Sequence, residues 1–272
     1  MSGVVFFDQN GRELLNSEWA CFGLKYKLTR NSFTFEAATY SRESSYAVTL
    51  PLATPIVAVI CDQNVPVNRF SGSACLLSIT DVGNGNKRLR MKLPANVTVF
   101  VFDAVYNITP ATSGVGLETF RPDGKLSFSS NVRQINILGS IRPTNSKSTG
   151  ATVAAYGGNI LGTNGNAVTI VANDSTAFAV PCWKSSLNSY PSNKLLAVVL
   201  PIARKGGYAQ YTGDGEGDTQ IGLVESVFRN VNDNNLYFHT APCEQFRGTF
   251  VNGYCLDAKY APEFLIIDVT HF

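Results

Sequence analysis

The sequence is short of charge. Only 15% of its 272 residues are charged, against roughly 25% in typical soluble domains. The formal net charge of +2 excludes the strongly basic surface that binds nucleic acid or an anionic membrane through bulk electrostatics. A surface poor in charge is easily desolvated and suits large permanent contacts with other subunits. A neutral, soluble β protein without such contacts fits the same composition.

Long apolar runs are missing as well. The apolar stretches have the length of strands, far short of the ~20 residues of a membrane-spanning helix. Asp8, Arg12 and Glu13 interrupt any apolar core near the start, so no signal peptide is visible. We therefore expect synthesis and folding in a cytoplasm.

The six cysteines include no Cys-x-x-Cys pair. For a protein folded in a cytoplasm, this scatter predicts that most of them are buried free thiols. Cys243 and Cys255 bracket a short Gly- and Phe-containing stretch, and they are the expected pair if the chain holds a disulfide.

Catalytic signatures are also lacking. The two histidines, His239 and His271, cannot be matched by spacing to a Ser or Cys nucleophile, and we interpret His239 as a partly buried strand residue. No phosphate-binding loop, zinc-protease motif or nucleophile elbow is present. The sequence predicts no catalytic, cofactor-binding or metal-binding residue and therefore no enzyme. A β-fold hydrolase with a carboxylate pair assembled in space stays as a third alternative.

One acidic segment partly mimics a calcium loop. Asp214, Glu216, Asp218 and Glu225 stand at positions one, three, five and twelve, where oxygen ligands suit a hard cation. The sixth position is Thr219, although the sharp turn of such loops requires glycine. We favour an acidic hairpin tip without a metal.

A second segment is basic. In a strand over Lys87–Leu93, Arg88, Arg90 and Lys92 share one face and the apolar residues share the other. This face could bind phosphate groups. Because the chain is near neutral and the strip has no interleaved aromatics, we favour a solvated strand face.

What the chain does contain is a repeat: the segment with which the sequence begins occurs a second time. A strand, a Gly-containing turn and a second strand begin at Gly3 and again at Gly116, and the two copies align at a constant offset without a gap. Asn10-Gly11 and Asp123-Gly124 predict type I′ turns, which need positive φ at both central positions. Identical residues occupy four aligned positions: Gly3 and Gly116, Phe7 and Phe120, Gly11 and Gly124, Ser17 and Ser130.

The ends of the two copies correspond too. Val97–Asp103 and Glu263–Val269 are apolar runs that each include an aspartate, and both predict buried closing strands. Phe100 and Phe102 on one face, with valines on the other, indicate cover on both sides. We predict a first domain over 1–106, a linker over 107–115 and a second domain over 116–272.

Short apolar runs between turn residues dominate the rest, and helix signals are weak. They predict an all-β fold of two tandem, related β-sandwich-like domains. Gly-, Ser-, Thr- and Asn-rich stretches over roughly 142–167 and 205–219 enlarge the second domain as inserted loops or hairpins. If the chain recognises a variable partner, we expect these loops to do so. The runs begin at Tyr46, Pro55, Ala74, Leu89, Val168, Ala177 and Leu195.

The repeated pattern reads Gly-apolar-x-x-Phe, then Asn or Asp-Gly-Arg or Lys, then apolar-x-Ser, and its closing strand ends Phe-Asp. In this pattern the sequence resembles small tail-tip proteins of lambda-like long-tailed bacteriophages, encoded near the large central host-specificity protein. The match is strongest from Val101–Asp103 into Gly116–Ser130. The first copy departs from the pattern in having Leu15-Asn16-Ser17 where the family often has Phe-Asp-Ser.

The resemblance implies a non-enzymatic structural or adaptor protein of the virion, at the tail tip or baseplate. Its partners would be the central tail-tip protein, the tail fibre and further copies of this chain, in a homo-oligomer of threefold or tail-matching symmetry. The alternative is a receptor-binding protein that recognises a host glycan or outer-membrane protein through the second-domain loops. Neither role requires nucleic acid, a cofactor or a membrane span.

Overall fold

The computed structural model describes the chain in fifteen ranges, which are residues 5–7, 13–16, 21–37, 45–63, 72–109, 115–142, 145–147, 154–156, 168–173, 176–180, 182–203, 205–210, 219–242, 253–256 and 263–272. In these ranges the fold is all-β, as predicted, and the only helical segments are two single 3-10 turns, η1 (Arg30–Ser32) and η2 (Val105–Asn107). No helix among them has the length and apolar character needed to cross a membrane.

Strands account for most of the described residues. They are β1 (Val5–Phe7), β2 (Glu13–Asn16), β3 (Phe22–Thr29), β4 (Thr34–Ala37), β5 (Ser45–Pro51), β6 (Ile56–Gln63), β7 (Cys75–Gly83), β8 (Asn86–Lys92), β9 (Val97–Ala104), β10 (Glu118–Phe120), β11 (Leu126–Ser129), β12 (Ile137–Ile141), β13 (Asn145–Lys147), β14 (Ala154–Tyr156), β15 (Val168–Asn173), β16 (Thr176–Val180), β17 (Cys182–Ser186), β18 (Leu196–Val199), β19 (Lys205–Gln210), β20 (Thr219–Asn230), β21 (Asn235–Pro242), β22 (Gly253–Leu256) and β23 (Phe264–Asp268). Each apolar run named from the sequence contributes to one of these strands.

The two openings form hairpins with one register. In β1–β2, Val5 pairs with Asn16, and in β10–β11, Glu118 pairs with Ser129. Every pair of the second hairpin repeats a pair of the first with both residue numbers raised by 113, and the bulge falls at the same step. The prediction that the chain begins two equivalent hairpins is confirmed. We call β1–β9 the first unit and β10–β23 the second unit.

The equivalence continues beyond the hairpins. Leu24 on β3 pairs with Phe102 on β9, and the corresponding residue Ile137 on β12 pairs with Ile267 on β23. The three pairs that follow correspond in the same way, and both ladders carry a bulge directly after the matched residues Leu24 and Ile137. Next to these closing strands, β6 lies on β9 as β18 lies on β23, again in matching register. Each unit therefore contributes three matching antiparallel strands.

The two sets of three strands join into one sheet. β6 pairs antiparallel with β18, where Ala58 faces Val199, and these two residues hold equivalent positions in the two units. At the other side of the sheet, Gly23 of β3 forms an antiparallel bridge with Gln134, just before β12 begins. The strand order is thus β3-β9-β6-β18-β23-β12, nearly closed on itself, with an approximate twofold relation between the units.

The nearly closed sheet is apolar on both faces. Its inner face carries Ala58, Phe100, Phe102, Ala197 and Ile267, all fully buried. The outer face is equally apolar and belongs to the largest core cluster of the described residues. Burying both faces explains why the closing strands read as continuous apolar runs, as predicted. On β9 the outer-face residues Val99 and Val101 alternate with the inner-face phenylalanines, and on β6 Val57 and Val59 flank the inner-face Ala58.

Flanking sheets cover the outer face, which gives the sandwich-like layering. In the first unit the order is β4-β5-β8-β7, and Leu76, Leu89 and Met91 point into the shared core. In the second unit β17, β21, β20, β19 and β22 follow one another and are joined to the central sheet where β20 pairs in parallel with the end of β6. Phe238 of this layer packs on Phe264 with ring centroids 4.5 Å apart. The pair β13–β14 forms a small separate sheet within the predicted insertion at roughly 142–167, and β15–β16 form another small sheet just after it.

The boundaries drawn at residues 107–115 stay a prediction. The central sheet contains strands from both sides of that segment, and the two halves share one core cluster. Sequence patterns predicted the two sets of strands but not that they pair into one sheet.

Candidate interaction surface

The second hairpin is the candidate surface, and its geometry begins at the turn. Arg121 and Lys125 face each other, and Gly124 donates its N–H to the Arg121 carbonyl at 2.9 Å. Gly124 has a φ of 78°, whereas Asp123 does not adopt positive φ. The predicted type I′ turn is therefore wrong at this hairpin. Pro122 fixes a type I geometry, and the left-handed glycine that follows completes a three-residue loop. The turn at Asn10-Gly11 lies outside the described residues.

One side of this hairpin is seated on the first unit. The Cys21 N–H donates to the Ser127 carbonyl at 2.8 Å, and the Ser127 hydroxyl lies 2.6 Å from that of Thr119. The Tyr106 ring, at the end of the first unit, lies within 6.0 Å of the Arg121 guanidinium and 5.4 Å of the Lys125 ammonium. Such cation–π contacts hold the hairpin tip against η2.

Apolar side chains on the same segment face solvent. Val115 is fully exposed, Leu117 is 51% exposed and Phe120 is 55% exposed. Single apolar side chains scattered over a surface need no explanation, but three large exposed ones within six residues do. We call Val115, Leu117 and Phe120 the hairpin patch. Its chemistry suits an apolar contact with another protein surface.

The basic strip on β8 is largely neutralised. Arg88 and Arg90 both pair with Glu36 of β4, and Arg90 also donates to the Ser45 hydroxyl. Lys92 is buried and donates to the Ser73 hydroxyl at 3.4 Å. The strand and its two faces are as predicted, but solvation of the basic face falls along the strand: Arg88 is exposed, Arg90 is partly exposed and Lys92 is buried. A row of free cations for phosphate groups does not form here.

The predicted cation loop is only partly described. Residues 211–218, with three of its acidic positions, lie outside the described residues. Thr219 begins β20, and Glu225 is buried within that strand rather than at the end of a loop. Among the described residues, no three His, Cys, Asp or Glu side chains form a group that could hold a metal ion.

The cysteines that the structure describes with their side chains are free thiols. Cys61 and Cys75 are buried, as predicted, and Cys21 is partly buried. Burial raises the pKa of the Cys61 thiol to about 12, so this thiol stays protonated and unreactive. Cys243 and the thiol of Cys255 lie outside the described residues. His239 lies in strand β21, as predicted, and its side chain is also outside them.

Two gaps in the packing flank the junction between β6 and β18. One is lined by Val59, Leu196, Val198 and other core residues, and Asp62 and Arg229 form a polar edge. The other lies between Leu76, Leu200 and Ala203. Nearly all lining side chains belong to the core, so these gaps are seams between sheets rather than ligand sites.

Sequence reasoning missed two polar contacts and one turn. Asp62 and Arg229 form a bidentate ion pair although 167 positions separate them in sequence. Asp103 is fully buried and receives backbone N–H groups. Asn84-Gly85, which joins β7 to β8, has positive φ at both residues and is the turn with the predicted type I′ pattern. Only this last feature had a sequence signal, since Asn-Gly lies between two strand-like runs.

No family model, no curated protein and no solved structure matches the chain. Function must therefore be argued from the repeat, the hairpin patch and the motif resemblance.

Proposed function

We propose that the chain is a non-enzymatic structural or adaptor component of a bacteriophage tail tip or baseplate. The observation that carries the proposal is the repeated hairpin, whose motif resembles that of tail-tip proteins and whose second copy presents the hairpin patch. An adaptor requires a rigid body with an exposed apolar contact. The shared core provides the first, and Phe120 with Leu117 provides the second.

In the assembled particle we expect several copies in threefold or tail-matching symmetry, in contact with the central tail-tip protein and the tail fibre. The low content of charge, 15% of the residues, supports burial of much of the surface between chains.

The test is incorporation into virions. A phage in which this gene carries a stop codon is complemented with the wild-type chain, with Phe120→Ser or with Phe35→Ser. Phe35 is 53% exposed on β4 and serves as a control of matched size and exposure. We expect the Phe120 variant to fold and yet to be depleted from purified particles, while the Phe35 variant is incorporated normally. A chain that is absent from wild-type particles would refute the proposal.

Receptor binding is the second candidate. The observation that favours it is the enlargement of the second unit by β13–β16, β19 and β22, which have no counterpart in the repeated register. Deleting Thr149–Asn166 should then abolish adsorption to the host and leave particle assembly intact. If the deletion instead prevents assembly, the adaptor role is favoured. Incubation of the pure protein with host polysaccharide tests the hydrolase alternative, because only a hydrolase would degrade the polysaccharide.

A further inference from the structure

The two units meet at two equivalent junctions that differ in chemistry. At the first, Asp62 at the end of β6 lies beside Arg229 on β20 in a parallel pairing. The guanidinium donates to both carboxylate oxygens at 2.7 and 2.5 Å. At the second, Leu76 on β7 forms a parallel bridge with Ile202, just after β18. Leu77 and Ala203 come next and are buried in one small apolar cluster.

The register makes the residues of the first junction equivalent, one by one, to residues of the second junction. Asp62 and Ala203 stand at the same distance along the chain after the matched residues Ala58 and Val199, respectively. Arg229 and Leu76 are their counterparts across the junctions: each stands two residues after a member of the pair Ala74–Val227, Arg229 pairs with Asp62, and Leu76 accepts the Ala203 N–H at 2.8 Å. The approximate twofold relation therefore superimposes an ion pair on an apolar contact.

Around the β6–β18 pairing the interface is closely symmetric. Ala74 and Val227 exchange two backbone hydrogen bonds of 2.9 Å each. Leu200 donates to the Val57 carbonyl at 2.8 Å, next to the pair formed by Ala58 and Val199. These contacts are main-chain and apolar, and they do not distinguish one unit from the other. Taken alone, they would also allow a first unit to pair with the first unit of a second copy.

The ion pair removes that ambiguity. If two first units paired, each Asp62 would face Leu76 and lose its partner. If two second units paired, each Arg229 would face Ala203. Each wrong arrangement leaves a partly buried charge without its ion-pair partner and beside an apolar side chain, which is strongly unfavourable. Specificity of this kind comes from the penalty on the wrong partner.

We propose that the Asp62–Arg229 pair is the specificity device that directs a first unit onto a second unit and prevents like units of two copies from pairing. The partner that it rejects is a second copy of this chain. This property does not depend on the proposed tail function, because it concerns how the chain pairs with itself.

A disulfide reporter tests the inference in the full chain. In the native sheet residue 58 faces residue 199, whereas in a like-with-like pairing residue 58 of one copy would face residue 58 of the other. Facing residues in an antiparallel pair are close enough for a disulfide. In Ala58→Cys, a 58–58 disulfide identified by mass spectrometry after oxidative refolding therefore reports like pairing. Ala58→Cys/Val199→Cys is the positive control, and its intrachain bond reports the native pairing.

On the wild-type background we expect almost no 58–58 disulfide. With Asp62→Ala/Arg229→Leu, which copies the apolar junction onto the charged one, we expect it to rise about tenfold and to increase with protein concentration. Glu36→Ala/Arg90→Leu removes an ion pair away from the junction and should leave the yield at the wild-type level.

Charge reversal provides a second, independent measurement. Asp62→Arg places two cations together in the native arrangement and should raise the 58–58 yield. Asp62→Arg/Arg229→Asp restores the attraction and should lower the yield again, even if the apolar variant fails to fold. Equal yields in these two variants, or a yield that ignores the ion pair throughout, would overturn the proposal.

Discussion

Asp103 and Asp268 hold equivalent positions at the ends of the two closing strands, and each carboxylate fixes the segment that precedes the neighbouring strand. Asp103 accepts the N–H groups of Ala53 and Thr54 at 2.9 and 2.7 Å, just before β6. Asp268 forms an ion pair with Lys194 at 2.8 Å, just before β18. The repeat has kept the carboxylate and changed its donors.

Replacing Asp103 with Asn should destabilise the protein by about 2–4 kcal/mol. The side chain is fully buried, and an amide has one acceptor oxygen where the carboxylate offers two to the surrounding donors. Urea unfolding followed by tryptophan fluorescence measures the change. Asp123→Asn, on the exposed hairpin tip, is the control, and a loss of similar size in that variant would contradict the explanation.

Stability in acid should depend on Asp268. Burial opposes ionisation of this carboxyl, but hydrogen bonds from Lys194 and Thr270 outweigh it and lower the pKa from 3.8 to about 2. Because the folded-state pKa is depressed, the stabilisation is present above about pH 4 and is lost as the pH falls toward 2.

Melting temperatures across this pH range test the assignment. In Asp268→Asn the fall in melting temperature between pH 4 and pH 2 should become shallower than in the wild type. Lys194→Gln keeps the carboxyl but removes a donor, so its acid transition should move to higher pH. Profiles that are parallel for all three proteins would rule out a role for this carboxyl.

Gly23→Ala should cost about 1–3 kcal/mol, because the added methyl group would lie 2.2 Å from Val132 Cγ1 and 3.3 Å from the Arg133 carbonyl oxygen. The double variant Gly23→Ala/Val132→Ala should recover part of the loss. Gly139→Ala is the comparison, since its nearest neighbour is the movable end of Tyr190. Thermal denaturation should rank Gly23→Ala as the more damaging of the two single variants.

At the hairpin turn, Gly124→Ala should destabilise by about 1 kcal/mol through the backbone alone. Its φ is 78°, and a Cβ there would meet no atom within 4 Å. Gly124→Asn should cost less, because Asn adopts the left-handed conformation more readily than Ala does. Chemical denaturation of both variants checks the order, and equal losses would mean that conformation is not the cause.

Much of the secondary structure could be predicted from the sequence. Alternation and apolar runs identified strands such as β6 and β9, and the aligned glycines identified the repeated hairpin. These signals are local, since they follow from side-chain period and turn chemistry. The turn type at Asp123-Gly124 was predicted wrongly because the preceding Pro122 favours a type I turn over type I′.

The union of the two units could not be predicted. β6 and β18 are apolar on both faces, and such strands accept any neighbour of the right length. The pairing is decided by contacts between residues far apart in sequence, of which Asp62 with Arg229 is the clearest. The hairpin patch could not be predicted for a related reason: the sequence marks Phe120 only as an identical position of the repeat, and the exposure of its side chain depends on what the first unit leaves uncovered.

The bridge between Gly23 and Gln134 has a consequence for synthesis. While the ribosome is still making the second unit, β3 has no partner on one side and the phenylalanines of β9 are uncovered. The apolar interior of the nascent first half therefore stays exposed until β18 and β23, which complete the central sheet, have been synthesised. A chaperone that shields this interior during translation would raise the yield of folded protein, and abrupt termination after the first unit would leave a product that aggregates.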